Sequence, residues 1–286
     1  MKLLLLGHGY LGQAISREFL AAGWDVTAVS RHGDSSNPQS AIRNPQLLEL
    51  PCDLTSPSDV AALADRTPSP DLLLHCASSG RGGADAYRAV YLDGCRHLLA
   101  AFSGVPLLFT SSTSVYAQTD GSEVTEESPA EPDRDTGKIL RETEKLVLGH
   151  GGLVARLSGI YGPGRSVLLK KFLSGDAIIE EKGDRFLNQI HRDDAAPALL
   201  RLASQISNFR SQIFNLSDSR PLTQLECYTG LARLFSKPLP PSGPRDLNRK
   251  RGWTHKRVSN AKLRATGWEP EFPSFLDAAA AIAPTL

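Results

Sequence analysis

Gly7, Gly9 and Gly12 stand in LLLLGHGYLGQAI, between an apolar run and an amphipathic one. A strand that turns tightly into a helix gathers amide donors and the positive end of the helix dipole at one point, a natural seat for a phosphate. In the GxGxxG spacing, Gly7 allows the turn, Gly9 lets the backbone approach a pyrophosphate, and Gly12 lets helix and strand pack closely. With Tyr10 and Leu11 completing the loop, the chemistry implied is dinucleotide binding. A second stretch, FTSSTSVYA, offers the hydroxyls of Ser111 and Ser112 followed by Tyr116, as at the lip of an active site.

The residues after the second apolar run refine the nucleotide. An NAD site usually offers a carboxylate to the ribose hydroxyls there. This chain offers Ser30 and Arg31, followed by His32. A cationic fork suits the 2′-phosphate of NADP, which a carboxylate would repel. NADP is therefore the expected cofactor, with NAD as the other possibility and Arg31 as a plain solvated side chain in that case. In LPCDLTS, Asp53, with Leu54 beside it, either faces the adenine amino group or makes an Asx turn ahead of the next helix.

These residues need elements to position them. Apolar and amphipathic runs alternate: strand Lys2–Leu6, helix Tyr10–Ala22, strands Asp25–Val29 and Leu47–Pro51, helix Pro57–Ala64, strand Asp71–His75, helix Ala84–Ala101 and strand Pro106–Thr110. A helix follows in DRDTGKILRETEKL, N-capped by Asp135 or Thr136, and then strand Leu153–Leu157. Strands that are apolar throughout and alternate with helices imply an α/β fold, a doubly wound parallel sheet of Rossmann type covered on both faces. Ligands in such sheets bind beyond the carboxyl ends of the strands, where the strand order reverses.

At 286 residues, 41% hydrophobic, 22% charged and with a net charge of +1, the chain reads as an ordinary soluble protein. That balance argues against a nucleic-acid or membrane-surface binder. MKLLLL is too short for a signal core, and no run reaches the ~20 apolar residues of a membrane helix. Cys52, Cys76, Cys95 and Cys227 form no CxxC pair, so neither a metal site nor a disulfide framework is expected, and a cytoplasmic location fits. Pro-rich SKPLPPSGPRD, Ser236 to Asp246, reads as a loop leading into a basic stretch that includes Arg249, Lys250 and Arg251. Nothing specifies an oligomeric state.

Several later segments together resemble the extended short-chain dehydrogenase/reductase family, which includes sugar-nucleotide epimerases and dehydratases. LLLHCASSG resembles its fourth strand and cofactor-lining loop, placing Cys76, Ala77 and Ser78, with Ser79, beside the cofactor. YRAVYLDGCRHLLAA is similar to its next helix, FTSSTSVYA to its fifth strand, ARLSGIYGPGR to its sixth, NQIHRDDAAPALL to its I-H-V-x-D-x-A segment, and QIFNLSDSRPLTQLE to its late strand and helix. KRVSNAKLRATGWEPEFPSFLDAA resembles the tail of a divergent, NAD(P)-dependent epimerase/dehydratase-like branch. The resemblance implies a Rossmann domain of residues 1–164 and 186–220, and a small substrate lobe of residues 165–185 and 221–286. A small-molecule substrate, a sugar nucleotide or another anionic carbonyl compound, would bind in the cleft between them. Arg165 and Lys170 or Lys171, with Arg249, Lys250 and Arg251, are candidate contacts to a phosphate or carboxylate, with a solvated basic loop as the alternative.

In that family a Ser or Thr, a Tyr and a Lys four residues later transfer the proton that accompanies hydride transfer. Ser112 matches the hydroxyl. Registration on ETEKL puts Thr136 where the Tyr is expected and Leu140 where the Lys is expected. None of the six tyrosines has a Lys four residues later. The loss is chemically large, because a Tyr must be lowered about three units, ~4 kcal/mol, to serve near neutrality. Tyr116 and His191 are the candidate substitutes, with packing and a helix-start position as their plainer roles, and Lys138 is expected to be solvated. Two functions stay open: an atypical oxidoreductase or epimerase/dehydratase using Ser112, and a non-catalytic NADP(H)-binding redox sensor.

Overall fold

The protein is described by a computed structural model covering residues 1–31, 45–67, 69–80, 82–245 and 253–286. Strands β1 (Lys2–Leu6), β2 (Asp25–Ser30), β3 (Leu47–Pro51), β4 (Leu72–His75), β5 (Leu107–Ser112), β6 (Leu153–Leu157) and β7 (Ile213–Leu216) form one sheet. Its order is β7-β6-β5-β4-β1-β2-β3, and the pairings of β3 with β2, β2 with β1, β1 with β4 and β4 with β5 are parallel. The chain therefore winds outward from β1 to β3, then returns to β4 on the other side. The doubly wound Rossmann arrangement is present, with its reversal between β1 and β4. Leu4, Leu5, Leu6, Leu72, Leu73 and Leu74 are fully buried, each contributing roughly 1.5–3 kcal/mol. This is why β1 and β4 are leucine runs rather than alternating strands.

The connecting helices are α1 (Tyr10–Ala21), α2 (Pro57–Arg66), α3 (Ala84–Tyr87), α4 (Gly94–Ala101) and α5 (Asp135–Gly149). The helix expected over Ala84–Ala101 is interrupted by a π-helical turn at Arg88–Asp93, which joins α3 to α4. Strand β5 runs on through Ser112, two residues beyond its expected end. The N-cap of α5 is Arg134, in extended backbone and without a side-chain cap, rather than Asp135 or Thr136. Asp135 instead lies in the first turn, where its charge suits the helix dipole. Gly137 lies under Pro132, where an added Cβ would come 2.5 Å from the proline ring, so the incoming chain is steered into the helix by this close approach.

The chain divides into two compact units, residues 1–115, 132–156 and 196–213, and residues 116–131, 157–195 and 214–286. The first contains β1 to β5, nearly all of β6, and α1 to α5. The second has its own core, with Tyr161, Leu169, Phe172, Tyr228, Leu231 and Phe275 among its members. Helices Val167–Ser174, Gln224–Leu234 and Phe275–Ile282 supply much of that core. The latter two begin with capping boxes, Thr223 with Glu226 and Ser274 with Asp277, each satisfying amides at the helix start. In the Pro-rich stretch, Ser242–Gly243 pairs with Ile179–Glu180.

Candidate functional site

The amides of Gly7 and His8 both donate to Val29 O, at 2.9 and 3.2 Å, tying the loop after β1 to the end of β2. Gly7 has φ +112, and a Cβ there would lie 2.4 Å from Ala77 N. A Cβ on Gly12 would lie 2.0 Å from Gly7 O, which also accepts from Cys76 Sγ at 3.0 Å. Gly7 and Gly12 are thus demanded by the protein's own packing at the reversal point. Gly9 is different: its Cβ would meet no protein atom within 4 Å. It is the N-cap of α1, with no side-chain cap and no acidic residue in the first turn. The open space over Gly9, at the positive end of a helix, has the chemistry and the room a pyrophosphate requires, so the residues present fit a dinucleotide. Beside it, His8 Nδ1 lies 2.5 Å from Glu49 Oε1. Burial pushes the Cys76 thiol up to about 12, which leaves it protonated.

At the far end of β2, Ser30 is half-buried and Arg31 exposed. Asp53 Oδ1 accepts from the Thr55 amide and hydroxyl at 2.9 and 2.8 Å, an Asx turn that leads into α2. These bonds hold the Asp53 carboxyl below its ordinary range, and the charge of Arg31 adds to the effect. Leu54 is buried, its carbonyl 2.9 Å from His97 Nδ1. His32, Arg249, Lys250 and Arg251 lie outside the described residues.

On the opposite side of β1, Ser78 is exposed and its Oγ accepts from the Gly80 amide at 3.2 Å. At the end of β5, half-buried Ser112 accepts from the Ser114 amide at 3.2 Å. Ser111 donates to Glu144 Oε1 at 2.6 Å. Glu144 is fully buried and takes a two-point bond from buried Arg156, at 3.0 and 2.7 Å, and another from Arg141. Strand β5, helix α5 and strand β6 are locked together by this network. On α5, Thr136 is half-buried, Leu140 is buried at 4% exposure, and exposed Lys138 lies 3.7 Å from Asp135. Ser112, Thr136 and Leu140 all belong to the first unit.

Tyr116 and His191 belong to the second. Tyr116 is fully buried; its hydroxyl donates to Asn215 Oδ1 at 2.9 Å and its carbonyl accepts from Lys256 Nζ at 2.8 Å. His191 is buried between Phe272 and Tyr161, at ring-centroid distances of 4.3 and 5.2 Å. Its Nδ1 accepts from the Asp193 amide at 3.3 Å. Burial lowers its pKa, against the opposing charge of Asp193, which favours the neutral ring. Asp194 accepts from the amides of Glu271 and Phe272, and burial raises its carboxyl to about 6. Lys256 is 3% exposed, and burial, with the charge of Arg185 second, lowers it to about 8. Arg185 is half-buried, 3.9 Å from Glu180. Arg165, Lys170 and Lys171 are exposed. Among the described residues, no group of three or more His, Cys, Asp or Glu could hold a metal ion, and no helix is long and apolar enough to cross a membrane.

The model of the NAD dependent epimerase/dehydratase family matches residues 3–217, from the first strand of the sheet to its last. The chain belongs to that family. Protein YeeZ of Escherichia coli K12 is a relative, 27% identical over 282 residues that cover 95% of this chain and 96% of YeeZ. A solved structure from Methylobacillus flagellatus, assigned to the NAD-dependent epimerases/dehydratases, is 27% identical with a TM-score of 0.79, covering 99% of this chain and 97% of that one. The UDP-glucuronic acid 4-epimerase of Bacillus cereus, solved with UDP-glucuronic acid and NAD, shares the fold at 18% identity and a TM-score of 0.82, over 100% and 98% of the two chains.

Four buried polar residues escape a reading of motifs: Glu144, Arg156, His75 and Lys256. Two carried a signal. Arg156 interrupts the apolar run LVARL, and His75 closes LLLH, so each is a polar group in a strand buried on both faces and requires a partner. Lys256 lies in a basic stretch that resembles a solvated loop, and nothing local marks it as buried.

Proposed function

We propose that the protein binds a nicotinamide dinucleotide, with NADP(H) preferred, and acts as an atypical oxidoreductase or epimerase/dehydratase on an anionic carbonyl compound such as a sugar nucleotide. The observation that carries the reading is the open space over Gly9, bounded by two glycines that packing demands and one that packing does not. Family membership supports the reaction class. Arg31 supports the choice of NADP: exposed at the end of β2, it offers a fork to a 2′-phosphate.

When bound, the nicotinamide supplies or accepts hydride. The chain's own contribution is to cradle the pyrophosphate on the first-turn amides of α1 and to polarise a substrate oxygen with the Ser112 hydroxyl. The Glu144 network fixes α5 and Ser111 next to that hydroxyl. Thr136 and Leu140 provide no proton, so protonation falls to solvent or to another donor. An anionic substrate suits the second unit's cationic groups, where the charge of Arg185 adds to the burial that lowers Lys256. A cytoplasmic location is part of this reading, since NADP(H) chemistry and unpaired buried cysteines suit a reducing compartment.

One observation favours the second reading, a non-catalytic sensor of the nicotinamide state. Leu140, buried and apolar, occupies the registered position of the family's lysine. Titration of the protein with NADPH and NADH, followed by nicotinamide fluorescence, tests binding; incubation with NADPH and keto-sugar nucleotides tests turnover. Binding with turnover supports the enzyme, binding without turnover supports the sensor, and no binding of either nucleotide contradicts both.

A further inference from the structure

Between α3 and α4 the chain makes a π-helical turn, Arg88–Asp93, a rare geometry that widens the helix by one residue. Two bonds exploit it. His75 Nε2 lies 3.0 Å from Val90 O, within the turn, and the Ser79 amide donates to Tyr91 Oη at 3.3 Å. His75 is fully buried and lowered to about 4 by burial, so it is neutral, and the nitrogen facing a carbonyl carries its one proton. Its other nitrogen, Nδ1, is buried without a hydrogen-bond partner. The ring thus acts as a donor strut under the turn.

Tyr91 is walled in by aromatic rings, with centroids 5.0 Å from Tyr87, 6.0 Å from Phe109 and 6.1 Å from His75. The turn packs along α5, the helix that carries Thr136 and Leu140. Among the described residues, the Tyr91 phenol accepts one bond and donates none, so its hydroxyl hydrogen is available.

The sheet order says which part of a ligand this hydrogen would meet. With the pyrophosphate over Gly9 at the end of β1, and the adenosine half running toward Arg31 and Asp53 at the ends of β2 and β3, the nicotinamide half must run the other way, across the ends of β4 and β5. Ser79 and Tyr91 lie on that side. We propose that Tyr91, delivered by the π turn, holds the loop after β4 through the Ser79 amide and donates its hydroxyl hydrogen to an oxygen on the nicotinamide half of a bound dinucleotide. The proposal rests on the dinucleotide reading above and adds a residue to it.

Tyr91→Phe keeps the ring and removes the hydroxyl. Its affinity for NADPH should fall about three- to tenfold, the effect of one hydrogen bond, while its affinity for 2′,5′-ADP, which lacks the nicotinamide half, stays within about twofold. Both are measured by calorimetry, alongside thermal unfolding. Unchanged NADPH affinity in a wild-type-like fold overturns the proposal and leaves the dinucleotide reading standing. Equal losses for NADPH and 2′,5′-ADP, or a variant that no longer folds, make the hydroxyl structural and overturn it too. Wild-type protein that binds neither nucleotide overturns the underlying reading as well.

Discussion

The hydroxyl of Ser111 donates at 2.6 Å to the carboxylate of Glu144, a group with no exposed surface. The hydroxyl next in line, Ser112, is thereby anchored through its neighbour to α5. A carboxylate buried this deeply is tolerable only because Arg156 meets it with two bonds and Arg141 with a third.

Removing one partner of that pair leaves the other buried and uncompensated. Glu144→Ala should therefore cost about 3–5 kcal/mol in urea unfolding, and Glu144→Ala combined with Arg156→Leu should recover part of the loss. A change below about 1 kcal/mol in the single variant would show that the network is dispensable.

Cofactor preference follows from charge at the end of β2. Charge-assisted hydrogen bonds are worth roughly 1.5–3 kcal/mol, so NADPH should bind at least about tenfold more tightly than NADH, and Arg31→Glu should reverse the order. Equal affinities in the wild type would remove Arg31 from the site.

Thr136 and Ser112 should separate cleanly in kinetics. Thr136→Ala should alter any turnover by less than about tenfold, under ~1.4 kcal/mol, because a threonine alcohol beside a leucine is no general acid. Ser112→Ala should be the more damaging of the two. A collapse in Thr136→Ala with survival of Ser112→Ala would show that α5 is registered wrongly.

Lys256 gives a pH dependence whose sign is fixed. The unfolded chain holds this proton up to its ordinary value of 10.5, whereas the folded protein releases it at about 8, chiefly because of burial. Between those values the unfolded state binds more protons, so stability rises with pH across the window and is lost as pH falls through about 8. Lys256→Met should flatten that rise in denaturant titrations at a series of pH values; an unchanged slope would mean that the lysine is not the titrating group.

Strands β1 to β5 are legible because each is a short apolar run bounded by turn residues, and LLLL and LLLH admit few other readings. The loop at Gly7, Gly9 and Gly12 is legible because its spacing meets a strand and a helix. The π turn is not: YRAVYLDGCRHLLAA keeps a helical period, and the turn's contact with His75 comes from a residue fifteen positions from Val90 in the chain. Pairings across the sheet are equally silent. Nothing near Glu144 in the chain shows that Arg156 lies behind it, and the choice between a catalytic and a packed Tyr116 stays open until Asn215, 99 residues on, is seen to hold its hydroxyl.

The central claim is that a dinucleotide lies over Gly9, and Gly9→Val tests it most directly. The added side chain would meet no protein atom near its Cβ, so the variant should unfold at nearly the wild-type temperature. Gly12→Ala, with its Cβ 2.0 Å from Gly7 O, should be markedly destabilised. Calorimetric titration of NADPH into Gly9→Val should show no binding, because the valine fills the space of the pyrophosphate. Wild-type affinity in a folded Gly9→Val protein would contradict the account.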